Sequence, residues 1–121
     1  MARIAITSTG NELNSDMDQR FGRAAYFIII DPETMEFEAI DNQKNLDLSQ
    51  GAGIQAGKII VDKKVNVLIT GNCGPKAFKI LENSGVKVAL NINGKVIDAV
   101  SKYKNNELKF SNLPNVEGHH I

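Results

Sequence analysis

Polar and apolar residues alternate over positions 3–7, with Ile4 and Ile6 on one side, and a longer aromatic and β-branched run occupies positions 26–30. Both read as strands, the second of the kind a sheet interior uses. Asp31-Pro32-Glu33-Thr34 supplies turn chemistry, Pro32 presetting one dihedral, before positions 35–40 alternate again, so the spacing predicts a β-hairpin. Between the first two strands, Ser8-Thr9-Gly10 and Asn14-Ser15-Asp16 mark a polar excursion that closes on Arg20-Phe21-Gly22-Arg23.

After a polar linker at 42–50 the period changes. Ala52, Ala56, Ile59, Ile60 and Lys63 recur at helical spacing, which predicts a helix from about Gly51 with Ser49 as candidate N-cap. A short apolar strand follows at 65–70. Pro75 suits the first turn of a second helix, in which Ala77, Phe78 and Leu81 share a face and Gly85 is a left-handed end cap. Positions 86–90 form another strand, and Asn91-Ile92-Asn93-Gly94 leads into a third helix with Val96, Val100 and Tyr103 on one side. Strands separated by helices run parallel, so the fold class is α/β: a mixed five-stranded sheet with an antiparallel N-terminal meander and a parallel C-terminal half. The reading assigns one α/β domain to 1–104 and a tail, free to flex, to 105–121, where periodicity fades.

At 121 residues the chain has the length of one domain with one hydrophobic core. Its 14 Lys plus Arg balance 14 Asp plus Glu, which excludes the basic footprint of a nucleic-acid partner. The opening residues do not read as a signal peptide and no apolar run reaches membrane-spanning length. A single cysteine, Cys73, fits a reducing compartment, and the expectation is a cytoplasmic protein.

Ligands of open α/β sheets bind beyond the carboxyl ends of the strands, where three loops converge here: Thr7-Ser8-Thr9-Gly10, Thr70-Gly71-Asn72-Cys73-Gly74 and Asn91-Ile92-Asn93-Gly94. Gly71 and Gly74 admit close backbone approach, and the helix opening at Pro75 favours an anion. Cys73 stands just ahead of that helix, where the dipole is expected to lower a thiol's pKa and enrich the metal-binding thiolate. The alternative reading makes Cys73 a small buried hydrophobe and the two glycines parts of a tight turn. His119 and His120 offer imidazoles that with thiolate suit iron, copper, zinc or mixed-metal clusters; the alternative is a solvated tail end. Arg20 and Arg23 are candidates to neutralise an anion, or are surface charges paired with Asp16 and Asp18. Gly51-Ala52-Gly53 lacks the lysine and hydroxyl of a phosphate loop and reads as a helix start.

Three separated motifs, Asp18-x-Arg20-Phe21-Gly22-Arg23-Ala24-x-Tyr26-Phe27, Gly51-x-Gly53 and Val67-x-Ile69-Thr70-Gly71-x-x-Gly74-Pro75-x-Ala77-Phe78, recur in order. Together, over positions 2–103, they resemble the dinitrogenase iron–molybdenum cofactor-binding family of NifX/NifB-like proteins, as a small stand-alone member. The resemblance implies a ribonuclease-H-like three-layer α/β/α fold. It also implies a carrier or scaffold for iron–molybdenum cofactor precursors or other metal–sulfur clusters, alongside other cluster-assembly proteins. Some members of the family hold clusters without covalent protein ligands.

The leading expectation is a non-catalytic carrier of an anionic metal cluster or oxyanion. Thr9, Arg20, Arg23, Thr70, Gly71, Asn72, Cys73 and Gly74 line its site, with Cys73, His119 and His120 as metal ligands. Two other classes stay open: an enzyme with Cys73 as nucleophile, and a metal-free regulatory or interaction module that recruits a partner through an edge strand.

Overall fold

A computed structural model of the chain describes residues 2–47 and 51–116. The candidate cap Ser49 and the histidines His119 and His120 lie outside them. The elements are β1 (Ile4–Ser8), β2 (Tyr26–Ile30), β3 (Phe37–Asp41), a 3₁₀ turn (Gln43–Asp47), α1 (Ala52–Asp62), β4 (Val67–Ile69), α2 (Pro75–Asn83), β5 (Lys87–Ala89) and α3 (Val96–Lys104). The five strands form one sheet in the order β3-β2-β1-β4-β5. β1 pairs antiparallel with β2 and β2 with β3, whereas β1–β4 and β4–β5 are parallel. The sheet is mixed, as the alternation of motifs predicts.

Strand parity sorts the side chains into two layers. Ala5, Phe27, Ile29, Leu68 and Val88 pack with Ala56 and Ile60 of α1 and with Ala77, Phe78 and Leu81 of α2. Their neighbours Ile4, Ile6, Ile28, Ile30, Val67, Ile69 and Ala89 pack on the other side, against Val96, Ala99 and Val100 of α3. The sequence length suggests one core; the sheet splits it into two, because helices cover both faces. That double cover is why 26–30 is a continuous apolar run.

Strand ends differ from the sequence reading by local chemistry. Met35 takes φ 65 within the turn after β2 and donates its N–H to the Asp31 carbonyl, so β3 starts at Phe37 and not at Met35. Gly85, at φ 80, follows the last turn of α2 as a left-handed residue. α1 begins after Gly51 at φ 84 with no side-chain cap. Among the described residues no helix is long and apolar enough to cross a membrane.

The segment after α3 turns back along the open edge of β5. There the Ser111 N–H donates to the Val88 carbonyl at 2.8 Å. Lys87 also places its Nζ 5.5 Å from the centre of the Phe110 ring.

Candidate functional site

β1, β4 and β5 are parallel neighbours, so their carboxyl ends open on one edge of the sheet and bring the three predicted loops together there. Backbone pairing extends past the strands. Thr70 N–H donates to Ala89 O, Ile92 N–H to Thr70 O, and Asn91 N–H to Gly71 O. The polar excursion after β1 folds back over this edge: Asp18 N–H donates to Thr7 O at 3.0 Å and Met17 N–H to Gly94 O at 2.8 Å.

The Arg20 motif and the Gly71 motif, some fifty positions apart in the chain, meet as a short parallel bridge between Arg20 and Asn72. Asn72 N–H donates to Gln19 O at 2.7 Å and Phe21 N–H to Asn72 O at 3.0 Å. Gly71 is required by this approach, because a β-carbon there would lie 2.7 Å from the Gln19 carbonyl oxygen and collide with Gln19 Oε1. Gln19 Nε2 also donates to Ile92 O at 3.1 Å, tying the first loop to the third.

Beneath the loops, the Thr7 hydroxyl donates to the Asp18 carbonyl at 2.6 Å and stands 2.9 Å from the Thr70 hydroxyl. Both threonines are fully buried, so the Thr70 side chain supports the edge from below. Asp18 is 5% exposed and its carboxylate accepts from the Arg20 backbone N–H, the Arg20 guanidinium and the Ala25 N–H. Arg20 itself, 62% exposed along its side chain, is both ion-paired and open to solvent. Arg23, Asn72 and Gly74 are half-buried, and Thr9 is exposed with its hydroxyl donated to Asp16 O.

Cys73 departs from the expectation of an activated thiolate. Its side chain is 1% exposed and belongs to the apolar layer that contains Ala77, Phe78 and Leu81. Burial pushes the thiol from its ordinary 9.0 up to about 12, because a thiolate there would lose its water shell. The sulfur is held as a neutral donor 3.7 Å from Gly74 O. Its placement is that of the buried-hydrophobe alternative. Among the described residues no three His, Cys, Asp or Glu side chains gather as a metal site.

Two residues escaped the sequence reading. Gln19 carries no motif signal beyond lying inside the Asp18–Phe27 motif. Asn115 lies in an aperiodic stretch, yet it reaches Gly71, Asn72, Cys73 and Asn91.

Residues 2–106 match the family described as dinitrogenase iron-molybdenum cofactor. The chain is 40% identical to the orange protein from Desulfovibrio gigas, solved in its apo form. The two superpose with a TM-score of 0.92 over 96% of this chain and 98% of that one. The Thermotoga protein TM1290 is 36% identical, with a TM-score of 0.83 over 98% of this chain and all of its own. The Methanocaldococcus jannaschii protein MJ0580 is 31% identical over 91 residues, 73% of each chain.

Proposed function

The chain belongs to the dinitrogenase iron-molybdenum cofactor family, and on that premise we propose that it binds and carries an anionic metal–sulfur cluster, or a precursor of one, at the loop edge beyond β1, β4 and β5. The observation that carries the reading is the Arg20·Asn72 bridge, which places two of the family's separated motifs side by side at the strand ends. Ligands of open α/β sheets sit at such edges.

The cluster is cargo, held as a whole anion. The exposed Arg20 guanidinium and Arg23 supply positive charge, and the first turn of α2 after Gly74 presents amides and the positive end of the helix dipole. Thr9 and Asn72 add polar groups at the rim. Among the described residues the donor set favours this mode over covalent ligation, since the one cysteine is buried and protonated. A relative that has been solved as an apo form fits a fold that takes up and gives up a guest. The reading extends to protein partners that load or unload the cluster, and to a cytoplasmic setting consistent with a free thiol. A nucleophilic role for Cys73 is disfavoured by the same burial, because attack requires the thiolate.

The test is elemental analysis and a visible absorption spectrum of protein prepared without oxygen, before and after dialysis against tetrathiomolybdate. Retained molybdenum or iron with a visible band is the expected result. Protein that stays colourless and metal-free in both states would rule the carrier out.

A further inference from the structure

The tail residue Asn115 spans two of the three loops with a single side chain. Its Oδ1 accepts the Cys73 N–H at 2.9 Å, and its own N–H donates back to Cys73 O at 3.3 Å. Its Nδ2 lies 2.9 Å from Gly71 O, 3.1 Å from Asn72 Oδ1 and 3.1 Å from Asn91 Oδ1, two N–H groups shared among three acceptors. One carboxamide therefore fixes the backbone of the loop after β4 from both its donor and its acceptor sides, and joins it to the loop after β5.

Among the described residues no other group accepts the Cys73 amide, and the loop has no side-chain cap of its own: Gly74, the N-cap of α2, has none to offer. Asparagine is suited to the place because its short carboxamide carries an accepting oxygen and two donating N–H hydrogens at once. Aspartate would keep the bond from Cys73 N–H and set an oxygen against the three acceptors that the two Nδ2 hydrogens share.

We propose that Asn115 is the positioning residue of the cluster site, and that the segment after α3 is a working part of it: the carboxamide holds 71–73 and Asn91 in the arrangement that receives the guest. The inference rests on the carrier reading above for the guest, and on geometry alone for the fastening.

The test compares wild type, Asn115→Ala, Asn115→Asp and Ser111→Ala, the last a tail variant whose hydroxyl bonds only within the tail, to Leu113 O. In the free proteins, amide hydrogen exchange at Cys73 is expected to quicken by about tenfold or more in Asn115→Ala, the loss of a net hydrogen bond. Exchange at Ile6 and Leu68 should not change. Equal exchange at Cys73 in both proteins overturns the fastening. In equilibrium dialysis with tetrathiomolybdate, Asn115→Ala is expected to bind about tenfold more weakly, because the hydrogen bonds that hold the loop open for the guest are gone. Ser111→Ala should bind as wild type. Asn115→Asp should bind more weakly still at low salt, with its gap from Asn115→Ala closing as salt is raised. A merely structural role would leave no such salt-dependent gap, and equal binding by all four proteins overturns the link to the site. If wild type takes up no tetrathiomolybdate while Cys73 exchange still responds, the carrier reading falls and the fastening stands.

Discussion

A β-carbon on Gly22 would lie 2.8 Å from the backbone nitrogen of Gly53 and 2.9 Å from its α-carbon, so the loop that carries Arg20 docks backbone to backbone on the first turn of α1. The two glycines come from separate motifs of the sequence, and their spacing in the fold is that of atoms with no side chain between them. The Asn42 side chain secures the same corner by donating to Gly22 O and Ala24 O.

Replacing Gly22 by alanine should therefore wedge the loop off α1. Backbone atoms cannot yield as a flexible side chain would, so a loss of about 1–3 kcal/mol is expected, within the usual cost of overpacking. Urea unfolding measures it, and a midpoint equal to that of wild type would mean that the two backbones do not touch in solution.

The buried thiol sets a pH dependence. Cys73 rises in the folded state from 9.0 to about 12, so between those values the native chain holds a proton that the unfolded chain has released. Stability from this group is complete below pH 9 and falls as pH climbs toward 12, at up to about 1.4 kcal/mol per pH unit. Cys73→Ala should remove that slope, which urea titrations of both proteins from about pH 8 to about 10.5, spanning the onset of the loss, would reveal. The same thiol should resist iodoacetamide near neutral pH in the native protein and react promptly in urea.

The Arg20–Asp18 pair divides structure from binding. Since the guanidinium is largely exposed, Arg20→Ala should cost the fold less than about 1 kcal/mol. Uptake of tetrathiomolybdate should nonetheless fall several-fold, and the difference should shrink as salt screens the charge. Dialysis at about 50 and about 500 mM salt checks both halves, and a loss of uptake indifferent to salt would count against an electrostatic role.

Thr7 and Thr70 should respond unequally to the same change. Thr7→Val takes the donor from Asp18 O and leaves the buried Thr70 hydroxyl short of a partner, a loss of about 1–3 kcal/mol. Thr70→Val leaves Thr7 bonded to Asp18 O and should cost clearly less. Thermal or urea unfolding of the two variants ranks them, and the reverse order would mean that the hydroxyls are arranged differently.

Much of the fold is legible because it rests on short-range rules. The run at 26–30 with a turn centred on Pro32 makes the hairpin, and Pro75 and Gly85 bracket α2 by the dihedrals they permit. The site is less legible. Arg20 and the Gly71 loop stand out by composition, yet their meeting through Asn72 depends on β1 and β4 being parallel neighbours. Asn115 stands out by nothing, since a side chain that works through long-range hydrogen bonds leaves no period in its own neighbourhood.

Cys73 marks the boundary most clearly. From position alone, ahead of a helix and between two glycines, it reads as a metal-binding thiolate ahead of a small apolar filler, because local sequence states which dipole is near but not which way a side chain turns. The amino-acid order by itself determined the elements, their parallel and antiparallel pairing and the family motifs, all consequences of periodicity and backbone restriction. Packing alone decided that the sulfur turns inward, that Gly22 meets Gly53 and that Asn115 closes on the loop. Those outcomes depend on burial and on the meeting of residues dozens of positions apart, which happens only once both faces of the sheet are covered.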